Sequence, residues 1–424
     1  MAKPFIPIPI LDGPFQPGIT DPQWPVQPPD AILKDEVARE RYELERAGRI
    51  DPQNFLTVVT ADVNVRTRVE LSDVLKSLSS FAKVQMSRKP DDNHIPILRE
   101  IPSSWRVTVT IGLGGSIFFS AQGDDRFGLR HHKPKWLRTM PKVTGDEYDP
   151  GDVAADLIFL IASDHPYVNV SIARALSQGN WGVAGTKETR IFVRTINQGF
   201  SRPDRREFLR FDDGIDNLSN ARDRELDKFV YVSPEKGEPE WCINGTYLVW
   251  RKIRENLPFW EAIAQHEQEK MIGRKKDSGK PLARQVTGPS GMTPVFPDPK
   301  DAADGPLTAH IRKVQPRRSG NDLFGIADLE RRFLRRGYPY FEGLDEAGKI
   351  SCGLLFLAFM SDLHKQFEWP VQNWQTNPDF PSPGTGIDVM YGSGVLSNVT
   401  GGYYFCPPAP AAGSDEFLAS AIFR

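Results

Sequence analysis

The sequence predicts an α+β fold of two similar halves, each an antiparallel sheet with helices on one face. Three observations carry this. Residues 56–196 run strand, helix, strand, strand, helix, strand, the split βαβ unit of a ferredoxin-like fold. From residue 245 the same theme recurs less cleanly. The longest apolar runs, 157–162 and 353–360, suit buried strands and fall far short of the ~18–20 residues needed to span a bilayer.

The elements follow in order. Residues 1–50 are Pro-rich and then highly charged (KDEVARERYELERAGR), which predicts an extended arm and a short exposed helix. Residues 56–63 (LTVVTADV) form a strand. Residues 69–87 place Leu71, Val74, Leu75 and Leu78 at i, i+3, i+4, i+7, followed by Phe81, a helix with one apolar face. Residues 105–113 (WRVTVTIGL) are a β-branched, alternating strand. After a long basic loop come a buried strand (157–163), a helix (167–177) and a strand (190–196). In the second half, 245–253 is a strand. Residues 258–271 are a helix with Pro258 in its first turn, where the missing N–H costs nothing. Residues 310–314 read as short and irregular, and 331–340 (RRFLRRGYPY) as a sharp cationic turn. Residues 350–361 are a buried strand, and 363–375 a helix carrying Phe367 and Trp374. Residues 275–308 and 376–413 read as long loops. The tail APAAGSDEFLASAIFR reads as a mobile terminus or a docking segment for a partner. The expected division is an arm (1–50), an N-terminal half (51–215) and a C-terminal half (216–424).

Composition narrows the function. Of 424 residues, 53 are Lys or Arg and 55 Asp or Glu, a net charge of −2. That lacks the basic excess of a nucleic-acid binder. A hydrophobic share of 39% with 25% charged is globular. Three cysteines, Cys242, Cys352 and Cys406, are too few and scattered for a disulfide framework or a four-cysteine zinc site. A cofactor needing a single protein ligand stays open. The N-terminus shows no uninterrupted apolar export segment and no twin-Arg pair, so a cytoplasmic protein without membrane association is expected.

Some motifs mislead. Gly112-Leu-Gly-Gly-Ser lacks the third Gly of a dinucleotide fingerprint, and a tight strand end is expected there. GRKKDSGK at 273–280 has one residue too many for a phosphate loop, and Pro281 stands where Ser or Thr is needed. His131-His132 lies in a basic loop without ligand spacing, and His266 has no second His one turn later.

Three clusters carry chemistry. RFDDGIDN (210–217) sets an acid pair before a Gly, a turn that presents a carboxylate beside backbone N–H groups. HIRKVQPR (310–317) holds a His beside Arg312, Lys313 and Arg317; neighbouring cations are expected to keep it neutral, as a metal ligand must be. RRFLRRGYPY holds four Arg, suited to binding a carboxylate or phosphate.

In this order the clusters resemble the dye-decolourising peroxidases, a haem family of two ferredoxin-like halves. RFDDG matches the Asp and Gly of the GxxDG signature. HIRKVQPR is similar to the segment bearing the proximal histidine, and RRFLRRGYPY to that bearing the distal arginine. GTYLVWRKIR (245–254), EQEKMIGRKKDSGKPL (267–282) and GLLFLAFMSDLHKQF (353–367) extend the likeness over residues 56–374. The resemblance implies one haem b per chain, held in the C-terminal half with His310 as the axial iron ligand. It implies Asp213 as distal acid–base and Arg335 as distal arginine. Arg274 and Arg317 would meet the haem propionates, with Gln315 also counted as cofactor-binding. Gly214, Ile215 and Asp216 would line the haem face, and Asp362 would accept the second ring N–H of His310. It further implies H₂O₂ and a bulky phenolic or dye-like aromatic reductant as partners, and allows a homo-oligomer. Trp250, Tyr247, Tyr338 and Tyr340 are candidate electron relays. A haem storage, transfer or iron-release protein is the alternative; it needs His310 but not Asp213 or Arg335. One position departs from the family pattern: Arg210 replaces the first Gly of GxxDG. If that Gly serves close backbone approach, Arg210 demands more room.

Overall fold

A computed structural model describes residues 53–424 apart from 88–106, 121–122, 183–185, 203, 205, 219–224, 289–290, 319, 323, 409 and 411–414. The arm expected over 1–50, and Trp105 with Arg106, lie outside the described residues.

In the N-terminal half, β1 (Phe55–Val63), α1 (Arg68–Ser87), β2 (Thr108–Gly114), β3 (Leu157–Ser163), α2 (Pro166–Gln178) and β4 (Ile191–Phe200) follow the expected order. The C-terminal half supplies β5 (Thr246–Glu255), α3 (Gln265–Ile272), a small ribbon of β6 (Gln285–Thr287) and β7 (Thr293–Val295), α4 (His310–Val314), β8 (Leu334–Leu344), β9 (Ile350–Met360) and β10 (Leu396–Cys406). The eight long strands form one antiparallel sheet in the order β4-β1-β3-β2-β10-β5-β9-β8. Each half contributes four strands in the same relative order, fourth-first-third-second. The halves join where Tyr404 and Phe405 of β10 pair with Gly114 and Leu113 of β2.

The sheet curls until its edges meet. A Cβ on Gly199 of β4 would lie 2.8 Å from Tyr338 Cβ on β8. Strand alternation then sorts side chains. Leu56, Val58, Ile158 and Leu160 face Leu248, Trp250, Tyr338 and Leu357 across the interior. On the outside of the N-terminal half, Leu71, Val74, Leu75 and Leu78 of α1 and Val168 and Ile172 of α2 cover Val59, Ile111 and Phe159. Each such burial contributes roughly 1.5–3 kcal/mol.

Several elements differ from expectation. RRFLRRGYPY is not a sharp turn: from Leu334 it is edge strand β8, paired with β9 from Leu334↔Phe359 to Phe341↔Cys352. Its Pro339 is tolerated because only one side of an edge strand is paired. The loop expected over 376–413 contains β10. Its Gly401 and Gly402 weaken the strand signal, yet a Cβ on Gly401 would sit 2.6 Å from the Trp250 carbonyl of β5, so close strand approach demands glycine. The ribbon β6–β7 lies within the other expected loop. Residues 310–314 are a short regular helix. The helix expected over 258–271 is broken into Leu257–Glu261 and α3 by the non-helical Ala264. That expected over 363–375 widens into π-helical turns at His364–Glu368 and Val371–Gln375. Pro370 between them lacks an N–H and crowds the preceding turn, which the wider turns relieve. The tail folds back on its own chain: Leu418 and Ile422 are fully buried, and Leu418 N–H donates to Ser79 Oγ of α1 at 2.9 Å. The three cysteines are buried and free.

Candidate active site

A cavity of about 300 Å³ opens on the outward face of the C-terminal half of the sheet. Alternation along β5 turns Arg251, Ile253 and Glu255 into it, while Leu248 and Trp250 point to the interior. β9 adds Leu354 and Phe356, and β8 adds Arg335. α4 and the segment around Gln375 and Met390 form the opposite wall.

His310 is the first residue of α4 and lines this wall. Its Nδ1 lies 2.7 Å from Asp388 Oδ2. Asp388 is itself fully buried: Oδ1 accepts from Met390 N–H at 3.0 Å and Oδ2 from Gln375 Nε2 at 3.2 Å. A carboxylate accepts, so Nδ1 carries hydrogen and the Nε2 lone pair is left over. The acceptor expected at Asp362 is therefore Asp388. Asp362 instead caps the following turn, accepting from Lys365 N–H at 2.8 Å. Nor do Arg312 and Lys313 press on the imidazole. Arg312 donates to the carbonyls of Pro299, Asp301 and Gly305, and Lys313 to those of Asn377, Phe380 and Gly386. Burial disfavours charge on His310, but Asp388 outweighs it and the net shift is upward.

The acidic turn docks onto β8. Asn217 Nδ2 donates to the Arg335 carbonyl at 2.8 Å, and Arg335 N–H donates to Asn217 Oδ1 at 3.0 Å. The Arg335 guanidinium donates to the Ile215 carbonyl at 3.0 Å. Asp213 lies over Gly337 so closely that a Cβ there would meet its Oδ2 at 2.2 Å. Gly337 is therefore a clearance for the acid. Asp216 accepts from Arg317 at 2.7 Å and from Thr293 Oγ1 at 3.0 Å. Burial pushes Asp216 up, but Arg317 holds it below the usual carboxylate range. Arg274 donates to the carbonyls of Gly279 and Met292, and burial with Arg317 nearby lowers it to about 10. Gln315 lines the cavity and donates to the Asp328 carbonyl.

The fold thus brings Asp213, Gly214, Ile215, Asp216, Arg274, His310, Gln315, Arg317 and Arg335 to one cavity and leaves Asp362 outside its walls. Sequence reasoning missed Asp388, Asn217, Glu207, Arg251 and Glu255. Asp388 had a findable signal, an Asp just before a short helix, the cap pattern. Glu207 and Glu255 line the cavity with Asp213. Glu207 accepts the N–H groups of Leu209 and Phe211, yet burial and the Asp213 charge push it up to about 8. Burial and those two acids raise Glu255 well above the carboxylate range. Trp250, Tyr247, Tyr338 and Tyr340 are all buried, so none is a contact point for a bulky reductant.

Two family models match. Residues 50–200 fit "Dyp-type peroxidase, N-terminal" and 204–411 fit "Dyp-type peroxidase, C-terminal". The chain belongs to the DyP-type peroxidase family. It is 27% identical to proteins named deferrochelatase, from Yersinia pseudotuberculosis over 96% of this chain and 87% of that protein, and from Escherichia coli strain K12 over 90% and 86%. Among solved structures, a DyP-type peroxidase from Cellulomonas bogoriensis superposes with a TM-score of 0.68 at 25% identity, covering 90% of this chain and 96% of that one. An oxyferrous complex of DtpA from Streptomyces lividans gives 0.69 at 26%, covering 89% and 94%. As a DyP-type peroxidase the protein is a haem oxidoreductase of two ferredoxin-like halves. No helix among the described residues is long and apolar enough to cross a membrane.

The cavity fits haem. Leu209, Ile253, Ile272, Leu354 and Phe356 supply apolar walls. His310 offers its free ring nitrogen, at which iron competes with a proton. Arg317 Nε is buried without an acceptor, a donor that a propionate carboxylate would satisfy.

Proposed function

We propose that the protein reduces H₂O₂ and oxidises bulky phenolic or dye-like aromatics. The supporting observation is that His310, Asp213 and Arg335 line one cavity, with Asp388 buried behind His310 and bonded to its Nδ1. Bound there, haem supplies the redox chemistry of peroxide reduction. His310 would ligate its iron, and Asp388 fixes the imidazole orientation and raises its basicity. Arg274 and Arg317 would meet the propionates, beside the turn of Gly214, Ile215 and Asp216. Asp213 accepts the proton of one peroxide oxygen and returns it to the other, which leaves as water. The Arg335 guanidinium stabilises negative charge developing on that leaving oxygen.

The test is Asp213→Asn and Arg335→Leu, each assayed with its Soret band intact. Each is expected to lower kcat/KM for H₂O₂ by about a hundredfold or more. Full activity in both variants would sink the mechanism. The deferrochelatase names of the relatives favour a second reading, iron release from haem with the porphyrin intact. It predicts free porphyrin fluorescence from haem-loaded protein without peroxide, undiminished in both variants.

A further inference from the structure

Arg251 stands apart from the other arginines of the cavity. It lies on β5, 4% exposed, with its side chain among the cavity walls. Its Nε is buried without an acceptor. Among the described residues the guanidinium makes no hydrogen bond and no ion pair. Phe367 lies against it, 5.0 Å from ring centroid to guanidinium. Asp146 acts on it electrostatically, but the Asp146 carboxylate is already engaged by Val143 N–H, Tyr148 OH and Asn398 Nδ2. By contrast, Arg274 meets two carbonyls, Arg335 one, and Arg317 and Arg332 a carboxylate each.

A buried cation persists where an acceptor meets it. The space that Arg251 opens on is the cavity. Register places it opposite Phe356 of β9 and Gly401 of β10, whereas Arg335 is on β8. Two strand spacings, about 9–10 Å, therefore separate its backbone from that of Arg335. Its neighbours are Tyr148, Tyr391 and Tyr403 instead. We propose that Arg251 is a second anion-binding pole of the cavity and takes a carboxylate. The planar fork suits bidentate carboxylate binding. That carboxylate belongs either to haem, one propionate then meeting Arg251 and the other the Arg274–Arg317 pair, an arm that rests on the haem assignment, or to an aromatic reductant entering beside it.

The experiment compares wild type, Arg251→Met and Arg251→Lys. Apoprotein is titrated with haem b and with its dimethyl ester, following the Soret band. Holoprotein is assayed with 4-hydroxybenzoate and with its uncharged methyl ester. If the carboxylate is a haem propionate, Arg251→Met lowers the ratio of haem to diester affinity about tenfold. If it belongs to the reductant, that ratio holds and KM for 4-hydroxybenzoate rises about tenfold relative to the methyl ester. Arg251→Lys recovers part of either loss, which a purely structural role would not produce. Should Arg251→Met not fold, Arg251→Gln takes its place with the same ratios read. Ratios that stay within about twofold in both arms overturn the proposal. A wild-type chain without a Soret band overturns the haem assignment; a normal band with unmoved ratios overturns the role of Arg251 alone.

Discussion

Arg210 adopts φ +70°, the left-handed region, with its side chain exposed. Where the GxxDG pattern has Gly, the need is thus backbone conformation rather than clearance, and the expected demand for room does not arise. A non-Gly residue there costs about 1–2 kcal/mol, partly offset by the greater chain entropy lost by Gly. Arg210→Gly should therefore raise stability by about 0.5–1 kcal/mol, read as a higher urea midpoint; a lower midpoint would contradict this. Glu255 gives a pH signature. Its Oε2 is buried without a partner, and its folded carboxyl is held well above the ordinary range. The unfolded carboxyl ionises near about 4.3. Stability from the neutral form is therefore complete below that pH and falls as pH rises toward the folded value. Gln stays neutral in both states. Relative to wild type, Glu255→Gln should gain about 1.4 kcal/mol per pH unit from pH 5 upward in urea titrations. Titrating groups that do not interact with Glu255 cancel in the difference, so parallel profiles would show that Glu255 is not held neutral.

At the scale of elements, the tail is a structural piece of the N-terminal half. Leu418 and Ile422 pack with α1, and Arg68 donates to the Ile422 carbonyl at 2.5 Å. Leu418→Ala should cost about 2–5 kcal/mol, seen as a lower thermal midpoint; an unchanged midpoint would mean the tail is only loosely attached. Sequence periodicity located α1, β3 and β9 well because each is a long, uniformly apolar-faced run. It lost β10 and β8 because Gly401 and Gly402 interrupt the first, and arginine, glycine and proline crowd the start of the second. Those residues answer to neighbouring strands and to the cavity, not to local propensity. The π-helical widening around Pro370 was illegible for a related reason: a proline says that a helix is disturbed, not how.

At the scale of the whole molecule, one curled sheet rather than two separate ones organises the protein. Its closure depends on Gly199, whose Cβ would also lie 3.1 Å from Leu355 and 3.2 Å from the Pro339 carbonyl. Gly199→Val should destabilise by about 1–3 kcal/mol through overpacking at the β4–β8 contact. Equal urea midpoints would show that the edges part without cost. The same curvature turns one face of β5, β8 and β9 outward to floor the cavity. By itself the sequence determined the two-half α+β architecture and the segments bearing His310, Asp213 and Arg335, because periodicity and short motifs are local properties of the chain. Tertiary structure alone decided that Asp388, 78 residues from His310, holds the imidazole. It alone decided that Glu207, Arg251 and Glu255 face the same cavity and that two edge strands meet. Those relations exist between groups distant along the chain, and only packing and register bring them within reach of one another.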